Sequence, residues 1–326
     1  MPKKVTNVEN YKEEEAMREK WIKWALAESG TKTGSKILQK MIGEVSTTLG
    51  STFLATMIVG VVQVVAGIIM VRARGKKIIT NREEIFGSCL FGFFATVSTV
   101  LGFVVFYLGG EMGTNTFIIT LAIVPGAFID LIWFNHKLSA RQWLGVAVAT
   151  LAGYAVLGAP SLATLLSLPL WASLSFGTML FAAINQGITQ KIKGIDPFVK
   201  NFWGGATTFV LALLGLVIAD HDILLGQLGA PNYKLISFSV LIGLIVVAMW
   251  NFNLYSYKSG ASIAIKKLVM NGAYLISAMI FGILLFNESA TFGKLLGVVF
   301  YLAGFALMDN GTWEFVKLKL KPKTTA

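Results

Sequence analysis

The sequence predicts an all-α membrane protein, a bundle of nine clear transmembrane helices. Three observations lead to this prediction. Of the 326 residues, 55% are hydrophobic and only 14% are charged, which is too apolar for a soluble domain of this length. The mean hydropathy is +0.69. The apolar residues also gather into runs close to the roughly 20 residues that cross a bilayer as a helix.

The apolar runs follow one another with short breaks and divide the chain into segments. None alternates polar and apolar residues with a period of two, so barrel strands are not expected. The runs lie at 46–71, 85–108, 114–134, 141–158, 168–190, 198–219, 235–257, 261–286 and 291–308. The resulting segments are a charged N-terminal segment (1–44), a first half (45–158), a second half (168–308) and a basic tail (309–326).

The N-terminal segment does not read as a clear span. Residues 11–28 carry Trp21, Trp24 and Ala25 on one helical stripe, and Ser29 to Gly34 is expected to break that helix. Charged side chains at mid-membrane cost about 2.5–3.5 kcal/mol each on insertion scales. An interfacial helix is therefore favoured, and a degenerate tenth transmembrane helix is the alternative.

Lysine and arginine concentrate in alternate loops. Five lie between residues 72 and 84, none lies in 109–113, and the tail ends with four lysines. Positive loops face the cytoplasm, so the C-terminus is expected there, in a multi-pass protein of the plasma membrane. The net charge of +11 then needs no nucleic-acid partner.

The residue content argues against catalysis and metal binding. Cys89 is the one cysteine, and no phosphate-binding loop, Gly-x-Ser-x-Gly motif or zinc-ligand spacing is present. No enzyme activity, cofactor or metal site is expected. The expected partners are a small-molecule substrate and the lipid bilayer, and a homodimer is compatible with the sequence.

Two parts of the chain repeat one another at an offset of 152 residues, which shortens by one toward the end. Five runs separate the copies, an odd number, so the copies have opposite orientations in the membrane, as in the inverted repeats of many secondary transporters. The matched segments are Ile-Trp-Phe-Asn at 132–135 with Leu-Leu-Phe-Asn at 284–287, Trp-Leu-Gly-Val at 143–146 with Leu-Leu-Gly-Val at 295–298, and Leu-Ala-Gly-Tyr-Ala at 151–155 with Leu-Ala-Gly-Phe-Ala at 302–306.

These residues carry a resemblance to a known family. Phe-Asn-Glu-Ser-Ala-Thr at 286–291, followed by Gly297 and Gly304, resembles the signature that closes each half in the drug/metabolite transporter superfamily, and Pro125 fits as well. The resemblance covers both halves from about residue 85. It implies ten helices in two inverted five-helix repeats around a central cavity that opens alternately to each side. The first half lacks a clear leading helix, and residues 11–44 stand in its place.

Polar side chains inside the runs are the candidate substrate-binding residues, because such side chains tend to line cavities. They are Lys266, Lys267, Asn271, Tyr274, Trp250, Asn251, Gln63, Asn185 and Gln186.

The lysine pair is the strongest of these signals. An ammonium group attracts carboxylate or phosphate, and the pair resembles one in the nucleotide-sugar and triose-phosphate carriers of the same superfamily. Two alternatives remain open. Lys266 and Lys267 could extend along their stems to the cytoplasmic interface, or one of them could pair with Asp130.

Transport is the function that these features favour. We expect a secondary transporter, either an exchanger or an ion-coupled carrier, that moves a small polar metabolite by alternating access. The metabolite is anionic if the lysines face the cavity, and Asp130 is the candidate for proton coupling. The alternatives are an exporter of amino acids or cationic drugs, using Trp250 and Tyr274, and a non-transporting scaffold that binds a partner through the N-terminal segment.

Overall fold

The computed structural model describes residues 7–45, 48–158, 161, 163, 167–219, 232–309 and 313. Within these ranges the chain is helical and has no strand, which confirms the all-α class. Apart from Asp309 and Trp313, the basic tail lies outside the described residues. The helices are α1 (Asn7–Val45), α2 (Leu49–Ala73), α3 (Arg82–Tyr107), α4 (Met112–Thr120), α5 (Ile123–Phe134), α6 (Ala140–Val156), α7 (Leu170–Lys191), α8 (Pro197–Ala219), α9 (Tyr233–Lys258), α10 (Ile263–Phe286) and α11 (Phe292–Met308).

Six helical segments of the described chain are long and apolar enough to cross a membrane. They are α2, α3, α4 together with α5, α8, α9 and α10. The 17-residue α11 is apolar but shorter, and the runs predicted at 141–158 and 168–190 form α6 and α7. Large apolar side chains face outward, including Ile132 at 74% exposure and Leu284 at 69%. Such helices are those of an integral, multi-pass membrane protein.

The helix ends follow local sequence signals. Both α5 and α10 end at an asparagine in the left-handed conformation, Asn135 with φ 53° and Asn287 with φ 51°, a conformation that asparagine tolerates better than most residues. Several helices begin at a side chain that accepts a hydrogen bond from the backbone N–H three residues later. These residues are Thr48, Asn81, Ser139, Asn232 and Thr291.

The predicted run 114–134 is two helices rather than one. Pro125 has no backbone N–H, so the carbonyl of Leu121 cannot receive its usual bond from four residues later. The N–H of Val124 donates to that carbonyl instead, at 2.9 Å. The chain turns at this point, between α4 and α5.

The helices pack in pairs. Helix α2 lies against α8, α6 lies against α11, α1 packs on α9 and α10, and α7 packs on α3, α4 and α5. Between α6 and α11 a Cβ atom placed on Gly145 would lie 2.8 Å from the carbonyl oxygen of Gly304, and a Cβ on Gly304 would lie 2.8 Å from that of Gly145. Glycine at both positions therefore permits the close contact of the two backbones.

Helix α1 is packed into the bundle and does not lie on its surface. Ala25 and Ile42 are fully buried, and the ring of Trp24 stacks on that of Phe252 in α9 at 5.7 Å. The break expected at Ser29 to Gly34 is absent, since one continuous helix runs through it. The interfacial placement was inferred from the cost of charges in lipid. Lys20 and Lys23 are indeed exposed, but Glu28, Lys32 and Lys36 line an interior cavity.

Candidate functional site

A cavity of about 150 Å³ lies between α1, α3, α4, α7, α9 and α10. Its wall combines charged and amide side chains with aromatic ones. The charged and amide side chains are Glu28, Lys32, Lys36, Gln39, Asn185, Gln186 and Asn253, and the aromatic ones are Phe91, Trp250 and Tyr274. Four of the predicted binding residues, Asn185, Gln186, Trp250 and Tyr274, therefore line one cavity.

A buried polar network forms one part of this wall. The Lys266 Nζ lies 2.7 Å from Glu28 Oε2 and donates to Gln186 Oε1 at 3.0 Å. Gln186 Oε1 also accepts from Tyr257 Oη at 2.6 Å and from Asn253 Nδ2 at 2.8 Å, and Asn253 Nδ2 contacts Glu28 Oε1 at 2.8 Å. Both charges of the ion pair therefore have additional polar partners, which a buried pair needs for stability.

The two adjacent lysines of α10 occupy different environments. Lys266 joins this network, whereas the Nζ of Lys267 has no hydrogen-bond partner among the described residues. Both side chains are buried, at 0% and 1% exposure, so neither extends to an interface. The alternative that one of the two lysines pairs with Asp130 is also wrong. Lys266 pairs with Glu28, and Lys267 has no hydrogen-bond partner among the described residues.

Other predicted site residues lie outside the cavity wall. Asn271 Nδ2 donates to the carbonyl of Thr120 at 3.3 Å. Asn251 Oδ1 accepts from Asn201 Nδ2 at 2.8 Å, which joins α9 to α8. Gln63 is fully buried between α2 and α8, beside Gly205.

The sequence reasoning missed the charged residues that α1 contributes. Lys32 lies with its Nζ 4.8 Å from the ring centroid of Tyr274, and the Nζ of Lys36 lies 4.7 Å from that of Phe106. The available signal was a spacing of four residues at Glu28, Lys32 and Lys36, which places all three on one helical face. A charged stripe facing an interior cavity avoids the cost that argued against a span.

Lys200, near the start of the predicted run 198–219, was also missed. It is fully buried in α8. Its Nζ donates to Thr189 Oγ1 at 3.0 Å and lies 3.7 Å from the ring centroid of Phe91. Phe91 lines the cavity, so Lys200 adds positive charge directly behind the cavity wall.

A carboxylate caps the N-terminus of α10, at one end of the bundle. Asp130, in α5, accepts from the backbone N–H of Ala264 at 2.7 Å and of Ile263 at 3.3 Å. His136 Nδ1 lies 3.3 Å from the same carboxylate. A negative group at a helix N-terminus satisfies free N–H groups and the helix dipole. Asp130, the coupling candidate, thus links the two halves of the chain.

A second carboxylate caps the N-terminus of α4, near the opposite end of α10. Glu288 follows α10 and accepts from the backbone N–H of Met112, and from that of Gly113 at 2.9 Å. Lys40 Nζ lies 2.5 Å from Glu288 Oε1. Glu288 therefore also links one half of the chain to the other.

Glu111 lies beside this second link, in the turn before α4. Burial raises the pKa of Glu111, but hydrogen bonds from Thr114 and Lys294 and the lysine charges lower it by more. The net pKa lies below the usual value, and the Lys294 Nζ is 3.0 Å from the carboxylate. This end of the bundle therefore carries two carboxylate–lysine pairs.

No protein-family model and no curated protein matches this sequence. Several solved structures resemble it, among them a crystal structure, described only as that of a protein, with a TM-score of 0.57 at 14% sequence identity. The match covers 87% of this chain and 96% of the other. At this identity the likeness concerns the fold alone.

Proposed function

We propose that the protein is a secondary transporter of a small anionic metabolite, with the cavity as its binding site. The observation that carries this proposal is the pair of lysines on α1, Lys32 and Lys36, which line the cavity without a carboxylate partner in the described chain. An uncompensated cation in a desolvated site attracts an anion. The aromatic wall would pack against the ligand's carbon atoms.

Membership of the drug/metabolite transporter superfamily and an inverted repeat are part of this proposal. Counting α4 and α5 as one, the described residues form five helices before residue 158 and five after 168. The packing supports a two-fold relation, because α1 on α9 corresponds to α7 on α3, and α1 on α10 corresponds to α7 on α4 and α5. Asn135 and Asn287, 152 residues apart, share the left-handed conformation.

The two carboxylate links are the proposed gates. Asp130 joins α5 to α10, and Glu288 joins the end of α10 to α4. The N–H groups that the two carboxylates accept from lie at equivalent positions of the two halves. Residues 263 and 264 follow residues 112 and 113 by close to the repeat offset of 152 residues. Alternating access around a central site requires a gate at each end of the bundle, of which one opens while the other stays closed.

The proposed topology places α1 as the first crossing. The nine predicted spans then become ten. The protein lies in the plasma membrane, and both of its termini face the cytoplasm. Lys76, in the loop after α2, pairs with Asp196, in the loop after α7, at 2.6 Å. This contact supports a common cytoplasmic side for the two basic loops.

Transport in liposomes tests the proposal. Purified full-length protein would be reconstituted, and uptake of labelled carboxylates, inorganic phosphate and a quaternary ammonium ion would be measured. We expect uptake of an anion, lowered by about tenfold or more in the Lys32→Gln/Lys36→Gln variant, since each charged hydrogen bond contributes about 1.5–3 kcal/mol. The matched control is Lys20→Gln, an exposed lysine on the same helix.

Three results would count against the proposal. Uptake of the quaternary ammonium ion alone would favour the cationic-drug exporter. An unchanged anion flux in the double variant would show that the cavity lysines do not bind the anion. Absence of flux with every solute would favour the scaffold, although α1, its expected docking segment, is already occupied by α9 and α10.

A further inference from the structure

The cavity carries two cations and no matching negative charge. Glu28 is the one carboxylate among the lining residues, and Lys266 already pairs with it. Lys32 contacts the ring face of Tyr274. Lys36 contacts the ring of Phe106 and, at 3.4 Å, the amide oxygen of Gln39. Aromatic faces and amides bring partial charges only, so two positive charges remain for a ligand to neutralise.

The two cations are separated along one face of α1. Lys32 and Lys36 lie four residues apart, which places them on the same side of the helix. At 1.5 Å per residue, their Cα atoms are about 6 Å apart along the axis. Their ammonium groups reach different helices, Lys32 the ring of Tyr274 in α10 and Lys36 that of Phe106 in α3, so two anionic groups on one ligand would meet one ammonium group each.

The wall near Lys36 offers a free hydroxyl group. The Oγ of Ser98 in α3 lines the cavity and is buried, and it has no hydrogen-bond partner in the described part of the chain. One turn later, a Cβ atom placed on Gly102 would lie 3.5 Å from Lys36 Nζ, so the ammonium group approaches α3 at this level. A buried hydroxyl without a partner costs free energy, and an anionic group bound to Lys36 would accept a hydrogen bond from it.

The volume limits the ligand to a small molecule. A cavity of about 150 Å³ is comparable to one that holds a single benzene molecule. A cavity with room for about six carbon atoms admits a dicarboxylate of about four to six carbons.

We infer that the cavity binds a small organic dianion whose two anionic groups are held separately, one by Lys32 and the other by Lys36. This inference rests on the proposed function and narrows its substrate class. An anion with a single charged group, even a doubly charged phosphate, meets only one of the two ammonium groups.

Binding to the full-length protein in detergent tests the inference by isothermal titration. The probes are glutarate, a five-carbon dicarboxylate, valerate, the monocarboxylate of the same length, and inorganic phosphate. We expect glutarate to bind at least about tenfold more tightly than the other two, which is about 1.4 kcal/mol. This comparison uses only the wild-type protein, so it does not depend on the folding of any variant.

Single variants then assign the two charges. Lys32→Gln and Lys36→Gln should each weaken glutarate binding by about tenfold and leave valerate binding nearly unchanged, because one ammonium group remains. Lys20→Gln should change neither. Equal binding of glutarate and valerate by the wild type, or tighter binding of phosphate, would overturn the inference.

Flux measured in parallel separates this inference from the proposed function. Selective glutarate binding without flux in liposomes would leave the dianion site standing and remove the transporter. Flux of valerate as fast as glutarate, with no selectivity in binding, would leave the transporter standing and remove the dianion site.

Discussion

The ion pair between Glu28 and Lys266 offers a direct test of how charge is arranged inside the bundle. Glu28→Gln removes the negative charge. Lys266 stays buried, and its hydrogen bond to the side chain of Gln186, at 3.0 Å, remains. Loss of one partner from a buried pair costs about 3–5 kcal/mol. We expect the lower end, about 3 kcal/mol, because an amide at position 28 can still accept from Asn253 Nδ2, now at 2.8 Å.

This loss should appear as a lower midpoint of thermal unfolding in detergent. At about 2 °C per kcal/mol for a large chain, the midpoint should fall by roughly 6 °C. Glu28→Gln/Lys266→Met removes both charges, and it should recover most of the loss, since paired buried charges are often replaceable by apolar groups. Glu44→Gln, an exposed carboxylate of the same helix, is the matched control.

Two outcomes would refute this reasoning. If Glu28→Gln unfolds at the wild-type temperature, the buried lysine does not depend on its carboxylate. If the double variant is as unstable as the single one, the loss comes from altered packing and not from an unpaired charge.

The remaining predictions concern the gates and a helix contact. In a protein in which Cys89 is replaced, Ser98→Cys supplies a single cysteine in the cavity wall for labelling by an impermeant maleimide. In this background Glu288→Gln should increase labelling from one side of the membrane and Asp130→Asn from the other, each by about tenfold for a lost charged hydrogen bond. Equal labelling from both sides would contradict two separate gates. Gly145→Ala should destabilise the protein by about 1–3 kcal/mol through overpacking, whereas Gly30→Ala, with open space around the added methyl group, should be neutral or stabilising in thermal unfolding.

Hydropathy was sufficient to locate the apolar helices that follow α1, because long apolar runs have few alternatives in a chain of this composition. The run at 46–71 became Leu49–Ala73 and the run at 235–257 became Tyr233–Lys258. The turn inside 114–134 had a visible cause in Pro125. Its position depended on which carbonyl group lost its donor, and hydropathy does not contain that information.

The cavity was harder to predict, because a helical charge can face lipid, an interface or the interior. The penalty assigned to the charges of α1 assumed that they face lipid. The helix instead turns Glu28, Lys32 and Lys36 inward, where Glu28 meets Lys266 and all three line the cavity. Lys266 and Lys267 are alike in sequence, and only the identity of the neighbouring helices separates the paired lysine from the unpaired one.

The order of synthesis gives α1 a particular problem during biogenesis. Its partners come last, since Asn253 follows Glu28 by 225 residues and Glu288 follows Lys40 by 248. At about 5–20 residues per second, the ribosome needs roughly 10–50 s to produce them. Throughout that delay α1 can contact α3, where the Lys36 ammonium group lies on the ring of Phe106, but Glu28 and Lys40 lack their partners. On the proposed topology, the helix stays in the headgroup region or within the insertion machinery until the second half of the chain encloses it.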